Sequence, residues 1–431
     1  MEYNSERQFS FDTMQIHAGQ ILDSETLSRA VPIYQTTAYG FNNSEHAKKL
    51  FSLEESGNIY TRLGNPTQDV LEKRVAALEG GVGALAFSSG HAAIFSTIVN
   101  IAHSGDEIVS STALYGGTIN LFSKTLPELG INVKFADPDN IDEFESLTTE
   151  KTKAYYIESV GNPNCNLCDI EKIAELAHKH NVPLIVDSTF TTPYLMKPIK
   201  LGADIVIHSA TKFLGGHGTS MGGIVVDGGN FNWDNGKFPC LVEPDESYHG
   251  ISYVKDCGKA AFITKLRAHI LRDIGASISP FNAFMLLTGI ETLSLRMQKH
   301  CENALKVAEF LSKNENVSFV NYPFLPDSKY NALAKRILPK GCGAVFTFGL
   351  KGGKKAGIKF IDNLKVFSHV ANVGDVRSLV IHPASTTHSQ LTSEELKKAG
   401  ICEDTIRLSI GLEDIDDILW DLKQAIDIAV K

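Results

Sequence analysis

Between residues 81 and about 226 the chain alternates between two kinds of segment. Six short apolar runs, ALAFSS (84–89), EIVSST (107–112), VKFAD (133–137), AYYIES (154–159), PLIVDST (183–189) and DIVIHSA (204–210), suit buried strands. Most are separated by stretches of helical periodicity, at 90–103, 115–129, 139–149 and 169–180. Strands that alternate with helices return in the same direction, and their helices cover both faces of the sheet. The expected class is therefore α/β with a mostly parallel sheet. Ligands of such sheets sit beyond the carboxyl ends of the strands, so the residues that follow each run are the ones to inspect.

The flanks have a different texture. Residues 1–65 are polar and turn-rich and read as an N-terminal arm over another surface. A helix is expected over 67–79, capped by Thr67, with Val70, Leu71, Val75 and Leu78 on one face and Gly80 as its stop. Residues 227–260 read as a polar insertion rich in glycine and asparagine, and a long helical stretch begins at about 265. At 431 residues the chain exceeds one simple core. The division expected is an arm at 1–65, a major domain at 66–264 and a smaller C-terminal α+β domain at 265–431.

Charge and composition narrow the function. A net charge of -9 is a poor match for a phosphate backbone, which sets nucleic acid aside. No window approaches the apolar length of a membrane span, and the first residues lack the apolar run of a secretory signal. The 7 cysteines are odd in number and scattered, as expected for a reducing, cytoplasmic setting. Cys165 and Cys168 have C-x-x-C spacing but no second pair, so no metal site is expected.

Three groups fall at strand ends. Asp187 and Thr189 lie at the end of one run, Ser209, Thr211 and Lys212 follow another, and Ser89, Gly90 and His91 open a helix. Singly, each fits an ordinary cap, turn or surface residue. Together they meet the needs of pyridoxal 5'-phosphate: an amine for its aldehyde, a carboxylate for its ring nitrogen, and donors for its phosphate. A nucleotide P-loop is a poorer fit, because Lys212 precedes its glycines instead of following them into a helix.

The segments YTRLGNPT, SSGHAAI, LYGGT, VDSTFTTP, SATKFLGGHG, HPASTTHSQLT and IRLSIGLED occur in this order over nearly the whole chain. The series resembles that of the Cys/Met-metabolism family of pyridoxal-phosphate enzymes. The resemblance implies the PLP-transferase fold, with a seven-stranded-type sheet. It implies Lys212 as the Schiff-base lysine and proton shuttle, Asp187 as the partner of the pyridinium, and Ser89, Gly90, His91, Thr189, Ser209 and Thr211 around the cofactor. His91 departs from the methionine common in the γ-lyases. Tyr115 would stack on the cofactor ring, and Tyr60 and Arg62 would reach the phosphate in a neighbouring subunit of a homotetramer built from dimers. Arg407 and Asn372 would bind the amino-acid substrate. Arg407 has its own argument, since in TIRLSIG it alternates with Ile406, Leu408 and Ile410 and so points away from that apolar face.

Within the family, the insertion at 227–260 and Asn372-Val373 resemble the O-acetylhomoserine sulfhydrylase branch. The implied reaction is a γ-replacement with small-molecule substrates. Lys212 moves protons at Cα and Cβ, acetate leaves Cγ, and sulfide or a thiol adds there to give homocysteine or methionine. Tyr115, or Tyr60, is the acid near the leaving group. A cystathionine γ-synthase or γ-lyase type reaction is the alternative. His208, His217, His382 and His388 are expected to be hydrogen-bonded structural residues, and KGGKKAGIK (351–359) a solvated loop and helix start.

Overall fold

The computed structural model describes residues 9–52, 54–386 and 404–431, together with Arg7 and Cys402. Seven strands form the first sheet: β1 (Gly83–Phe87), β2 (Glu107–Ser111), β3 (Asn132–Ala136), β4 (Thr152–Glu158), β5 (Leu184–Asp187), β6 (Ile205–Ser209) and β7 (Gly223–Asp227). Their order is β1-β7-β6-β5-β4-β2-β3. The run from β3 to β6 is parallel, while β7 is antiparallel to both of its neighbours. All six expected strands are present and the mostly parallel α/β expectation holds. The seventh, GIVVD, was not among the expected runs. It reverses direction because no crossover helix separates it from β6, only the loop that carries Lys212.

The expected helices are found at Gly90–Ile101, Ile141–Leu147 and Ile170–Lys179, each slightly shorter than read. The one expected at 115–129 runs from Gly116 to Glu128 with a π turn at Leu121–Thr125. The helix Pro66–Glu79 corrects one expectation. Its cap is Asn65, whose side chain accepts from the Thr67 amide, with Pro66 at the first helical position. The Thr67 hydroxyl instead donates to the Pro32 carbonyl at 2.7 Å and accepts from the Tyr34 amide at 3.0 Å, which pins the arm to the helix. Gly80 ends the helix as expected, at a φ of 86° that favours glycine.

The segment 227–260 is less polar than it reads. Trp233, Phe238, Leu241 and Tyr253 are buried, and Trp233 stacks on Phe262 at 5.3 Å. A few aromatic residues wedge it against one face of the sheet, and its glycines and asparagines hide them in an averaged composition. The helical stretch beyond it is three helices. The first begins at Ala261 and contains a π turn at Leu266–Leu271, and the others are Pro280–Ile290 and Leu293–Ser312.

The second sheet has the order β10-β11-β12-β9-β8, from β8 (Val317–Asn321), β9 (Val345–Leu350), β10 (Ser368–His369), β11 (Leu379–Ile381) and β12 (Thr405–Ser409). One apolar cluster runs from Val206 and Phe213 through Met297 to Phe346 and Ile406, so the two sheets share a core. That shared core brings Arg407, on the central strand β12, toward the carboxyl ends of β4, β5 and β6. Residues of the arm, by contrast, leave Ile21, Leu22, Leu27, Phe41, Phe51 and Tyr60 exposed. Among the described residues, no helix is long and apolar enough to cross a membrane.

Candidate active site

A cavity of about 300 Å³ opens at the carboxyl ends of β4, β5 and β6. Its wall contains Ser89, Gly90, His91, Tyr115, Asp187, Thr189, Ser209, Thr211, Lys212, Asn372 and Arg407. The sequence reading placed all eleven at one site, and the fold brings them together. Tyr60 and Arg62 are not in the wall. Tyr60 is exposed, and the Arg62 guanidinium lies 5.5 Å from its ring centroid and donates to the Arg272 carbonyl.

At the end of β5, Asp187 is held by its own turn. Oδ1 accepts from the Thr189 amide at 3.0 Å and from the Thr189 hydroxyl at 2.5 Å, while Oδ2 accepts from Tyr156 at 3.3 Å. Thr189 Oγ1 also accepts from the Ser209 amide at 2.8 Å, which ties the end of β5 to the end of β6. Burial pushes the Asp187 carboxyl above the ordinary range. Among the described residues no cation forms an ion pair with it.

Across the cavity the helix Gly90–Ile101 begins. The Ser89 side chain caps it by accepting from Ala92 at 3.1 Å, and the first amides of a helix have no intrahelical partner. This helix start lies hard against β6 and β7. A Cβ on Gly90 would sit 2.7 Å from Ser209 Cβ, and one on Gly223 would sit 2.1 Å from the Ser89 carbonyl oxygen. Helix amides and the Ser209 hydroxyl thus share one small space. Thr211 lines it too, but its hydroxyl accepts from the Gly222 amide at 3.1 Å and so braces the Lys212 loop.

Lys212 is half-enclosed in that loop. Its amine donates to Asn372 Oδ1 at 2.5 Å. Burial, and then the nearby Arg407, lower its pKa to about 8. Arg407 is 4 % exposed, which excludes a solvated surface arginine. It donates to Asn162 Oδ1 at 3.1 Å and to the Asn372 carbonyl at 3.3 Å, and among the described residues it has no carboxylate partner. Burial lowers its pKa to about 10. The alternation argument for Arg407 was right in direction, but β12 is buried on both faces.

The sequence reading missed Glu158, Asn162 and Tyr156. Glu158 ends β4 and is in register with Asp187, so the strand-end rule that singled out Asp187 applies equally to it. Asn162 follows in the next loop and is recognisable only from its contact with Arg407.

The cysteines and histidines singled out in the sequence lie as follows. Cys165 and Cys168 are free and buried, and burial pushes the Cys165 thiol up to about 12, which removes it from thiolate chemistry. His208 bonds Glu79 at 2.7 Å, His217 the Gly215 carbonyl at 2.7 Å, and His382 the Ser385 hydroxyl at 2.8 Å. His388, with the end of the HPASTTHSQLT motif, lies outside the described residues. Among the described residues, no cluster of side chains could hold a metal ion.

The donor set fits pyridoxal phosphate. Asp187 is a half-buried carboxylate with no cation partner among the described residues, as a protonated pyridine nitrogen requires. Helix amides and the Ser209 hydroxyl suit a phosphate, and Lys212 is an amine of lowered pKa. The Tyr115 ring, 5.6 Å from that of His91, offers an aromatic wall.

The sequence matches the family of Cys/Met metabolism PLP-dependent enzymes over residues 12–427. It is 53% identical over 429 residues to the O-acetyl-L-homoserine sulfhydrylase of Leptospira meyeri, covering 97% of each chain. A solved structure from Campylobacter jejuni, described as an O-acetylhomoserine (thiol)-lyase and containing N'-pyridoxyl-lysine-5'-monophosphate, superposes with a TM-score of 0.94 at 42% identity. It covers 97% of this chain and 100% of its own. Cystathionine gamma-lyase from Lactobacillus plantarum, solved with L-serine, has a TM-score of 0.84 at 32% identity, covering 98% of this chain and 100% of its own. The chain therefore belongs to the Cys/Met metabolism PLP-dependent enzymes, and its cofactor is pyridoxal 5'-phosphate.

Proposed function

We propose that the protein is an O-acetyl-L-homoserine sulfhydrylase, replacing the acetoxy group at Cγ with sulfide, or with a thiol, to release acetate and L-homocysteine or methionine. The observation that carries this reading is Arg407. Among the described residues this buried guanidinium has no acidic partner, and it faces the same cavity as Lys212 and Asp187, as required to grip the α-carboxylate of an amino acid. The names of the relatives, sulfhydrylases at about half identity over nearly the full length, support the choice of substrate.

When bound, pyridoxal phosphate supplies an aldehyde that condenses with amines and a ring that accepts the electron pair left at Cα. The chain does the rest. The half-buried Asp187 carboxylate keeps the ring nitrogen protonated. The amides of Gly90 and His91 with Ser209 hold the phosphate, and Thr189 fixes both Asp187 and the end of β6. Lys212 joins the aldehyde at rest. Once released, its neutral amine takes the Cα proton and then a Cβ proton. Asn372 Oδ1 holds that amine in place, and burial lowers its pKa to about 8, so that a usable fraction is neutral near physiological pH. Tyr115 donates a proton toward the departing acetate. The Cγ–O bond breaks with its electron pair on acetate, sulfide forms the Cγ–S bond, and the protons return to Cβ and Cα.

The proposal extends to assembly. Tyr60 and Arg62 lie outside the cavity of their own chain, and the arm around them carries exposed apolar side chains. Residues 1–65 act as a clamp on a neighbouring subunit, where Tyr60 and Arg62 reach the phosphate, in a homotetramer built from dimers. Residues 66–264 form the cofactor domain and 265–431 the C-terminal domain of a cytoplasmic enzyme. The direct test supplies purified holoenzyme with O-acetylhomoserine and sulfide. Equal amounts of homocysteine and acetate are expected, and acetate with no thiol product would refute the replacement reaction.

A further inference from the structure

Arg296 lies outside the cavity wall, yet it is 5 % exposed and has no carboxylate partner among the described residues. It sits in the first turn of the helix Leu293–Ser312. Its guanidinium is aimed at main-chain carbonyls. Nη1 donates to Phe213 at 2.8 Å, and Nη2 donates to Leu214 at 3.1 Å and to Gly289 at 2.7 Å. Nε donates to the Thr292 hydroxyl at 3.3 Å. Phe213 and Leu214 are the two residues after Lys212, and no other donor among the described residues bonds either carbonyl. The turn that holds them closes on itself. The Gly215 amide donates to the Ala210 carbonyl at 2.9 Å, and the Gly216 amide to that of Lys212 at 2.7 Å. Gly216, at a φ of 74°, is pressed against the guanidinium, which a Cβ there would strike. The Lys212 side chain enters the cavity, where Asn372 receives it.

We propose that Arg296 is a positioning residue for Lys212: by bonding the carbonyls of the next two residues, its guanidinium fixes the turn that presents the Lys212 amine to the cofactor aldehyde. A buried cation without an acid is costly, and its donors must then find other acceptors. Here they find the Lys212 turn. Three nitrogens reach four acceptors at separate points, which a planar fork can do and a lysine ammonium cannot. The same helix face extends the link. His300, four residues on, packs edge-on against Phe213 at 5.1 Å and bonds the Ile410 carbonyl at 2.7 Å, directly after the strand that carries Arg407.

Other contacts hold the ends of the turn. Thr211 bonds Gly222, and the Gly216 carbonyl accepts from the Val376 amide at 2.9 Å. Arg296 holds the middle. The residues assigned to the phosphate, Gly90, His91 and Ser209, lie on other elements. Placing the amine and holding the phosphate are therefore separable. The inference deepens the function proposed above and rests on it only for Lys212 as the lysine that joins the aldehyde.

The test uses full-length apoenzyme of the wild type and of Arg296→Lys and Arg296→Met. The first quantity is the rate of Schiff-base formation at saturating pyridoxal phosphate, read from visible absorbance. In that step the Lys212 nitrogen bonds the aldehyde carbon and water leaves. The second is the dissociation constant of pyridoxine 5'-phosphate, which has an alcohol in place of the aldehyde and so reports the phosphate and ring contacts alone. Borohydride reduction of wild-type holoenzyme, followed by peptide mass mapping, identifies the lysine concerned.

Arg296→Lys is expected to slow Schiff-base formation about tenfold, and Arg296→Met further, in line with the loss of charge-assisted contacts. Both are expected to bind pyridoxine phosphate within about twofold of wild type, a split that general loosening of the fold would not produce. If Arg296→Met does not fold, Arg296→Lys carries the test. A wild-type rate in Arg296→Lys would overturn the proposal, as would rate and affinity falling together. A pyridoxyl group on a lysine other than Lys212 would overturn the assignment of Lys212 and the proposal with it. With the group on Lys212, a missing split counts against Arg296 alone.

Discussion

Asn372 serves Lys212 and Arg407 with two different oxygens. Its side-chain Oδ1 accepts the Lys212 amine at 2.5 Å, and its main-chain carbonyl accepts Arg407 Nη2 at 3.3 Å. A substitution can therefore remove one contact and leave the other. Asn372→Ala is expected to lower kcat about tenfold, the scale of one hydrogen bond to a charged group, with KM for the amino acid within about threefold. Steady-state kinetics with both substrates varied checks this. A raised KM with unchanged kcat would place the side chain on the substrate instead.

The lowered pKa of Lys212 can be read in the cofactor-free protein. Its folded value, about 8, lies below the ordinary 10.5, so the neutral, nucleophilic amine accumulates as pH rises through about 8. The rate of Schiff-base formation on adding pyridoxal phosphate should rise with pH and level off above that point. A rate still climbing steeply at pH 10 would show an ordinary lysine. Lys212→Ala should keep cofactor in the phosphate cradle and lose turnover.

Asp187 carries the opposite signature. Burial raises its carboxyl above 3.8, so the folded apoenzyme binds a proton that the unfolded chain gives up. Its penalty on stability is absent below the unfolded pKa and grows as pH rises through the folded one. Asp187→Asn should therefore raise the melting temperature of the apoenzyme at neutral pH, and the gain should shrink toward pH 4. Turnover of the loaded variant should fall on the order of a hundredfold or more, the scale for losing one preorganised electrostatic partner. A variant less stable than wild type at neutral pH would contradict the account.

The chain's alternation exposed the parallel core and its strand ends, because buried strands and amphipathic helices write their periods directly into sequence. Asp187, Lys212 and Gly90 were legible for that reason. Glu158 followed the same rule and was passed over, since it ends a run that also reads as plain apolar strand. β7 was missed because its direction is set by the absence of a crossover, which no local pattern encodes. Asn162 was beyond reach, as its significance is a long-range contact with Arg407, 245 positions away. The buried wedge of Trp233 and Phe238 was masked by the polar residues around it.

Tyr60 and Arg62 act across subunits in this account, so their loss can be complemented. Arg62→Ala and Lys212→Ala should each be inactive or nearly so as homo-oligomers. Refolded as a mixture, they form hybrid dimers in which one site has both an intact lysine and an intact neighbouring arginine. Partial recovery of activity on mixing is expected. A mixture no more active than its parts would remove the arm from the site.

The central claim is that this site delivers sulfide to Cγ of O-acetylhomoserine. It is tested by offering the holoenzyme O-acetylhomoserine with sulfide and cysteine together, at equal concentration, and quantifying the thiol and thioether products. The account predicts homocysteine as the dominant product, with acetate released in step. Cystathionine as the dominant product, or 2-oxobutyrate with neither, would contradict it.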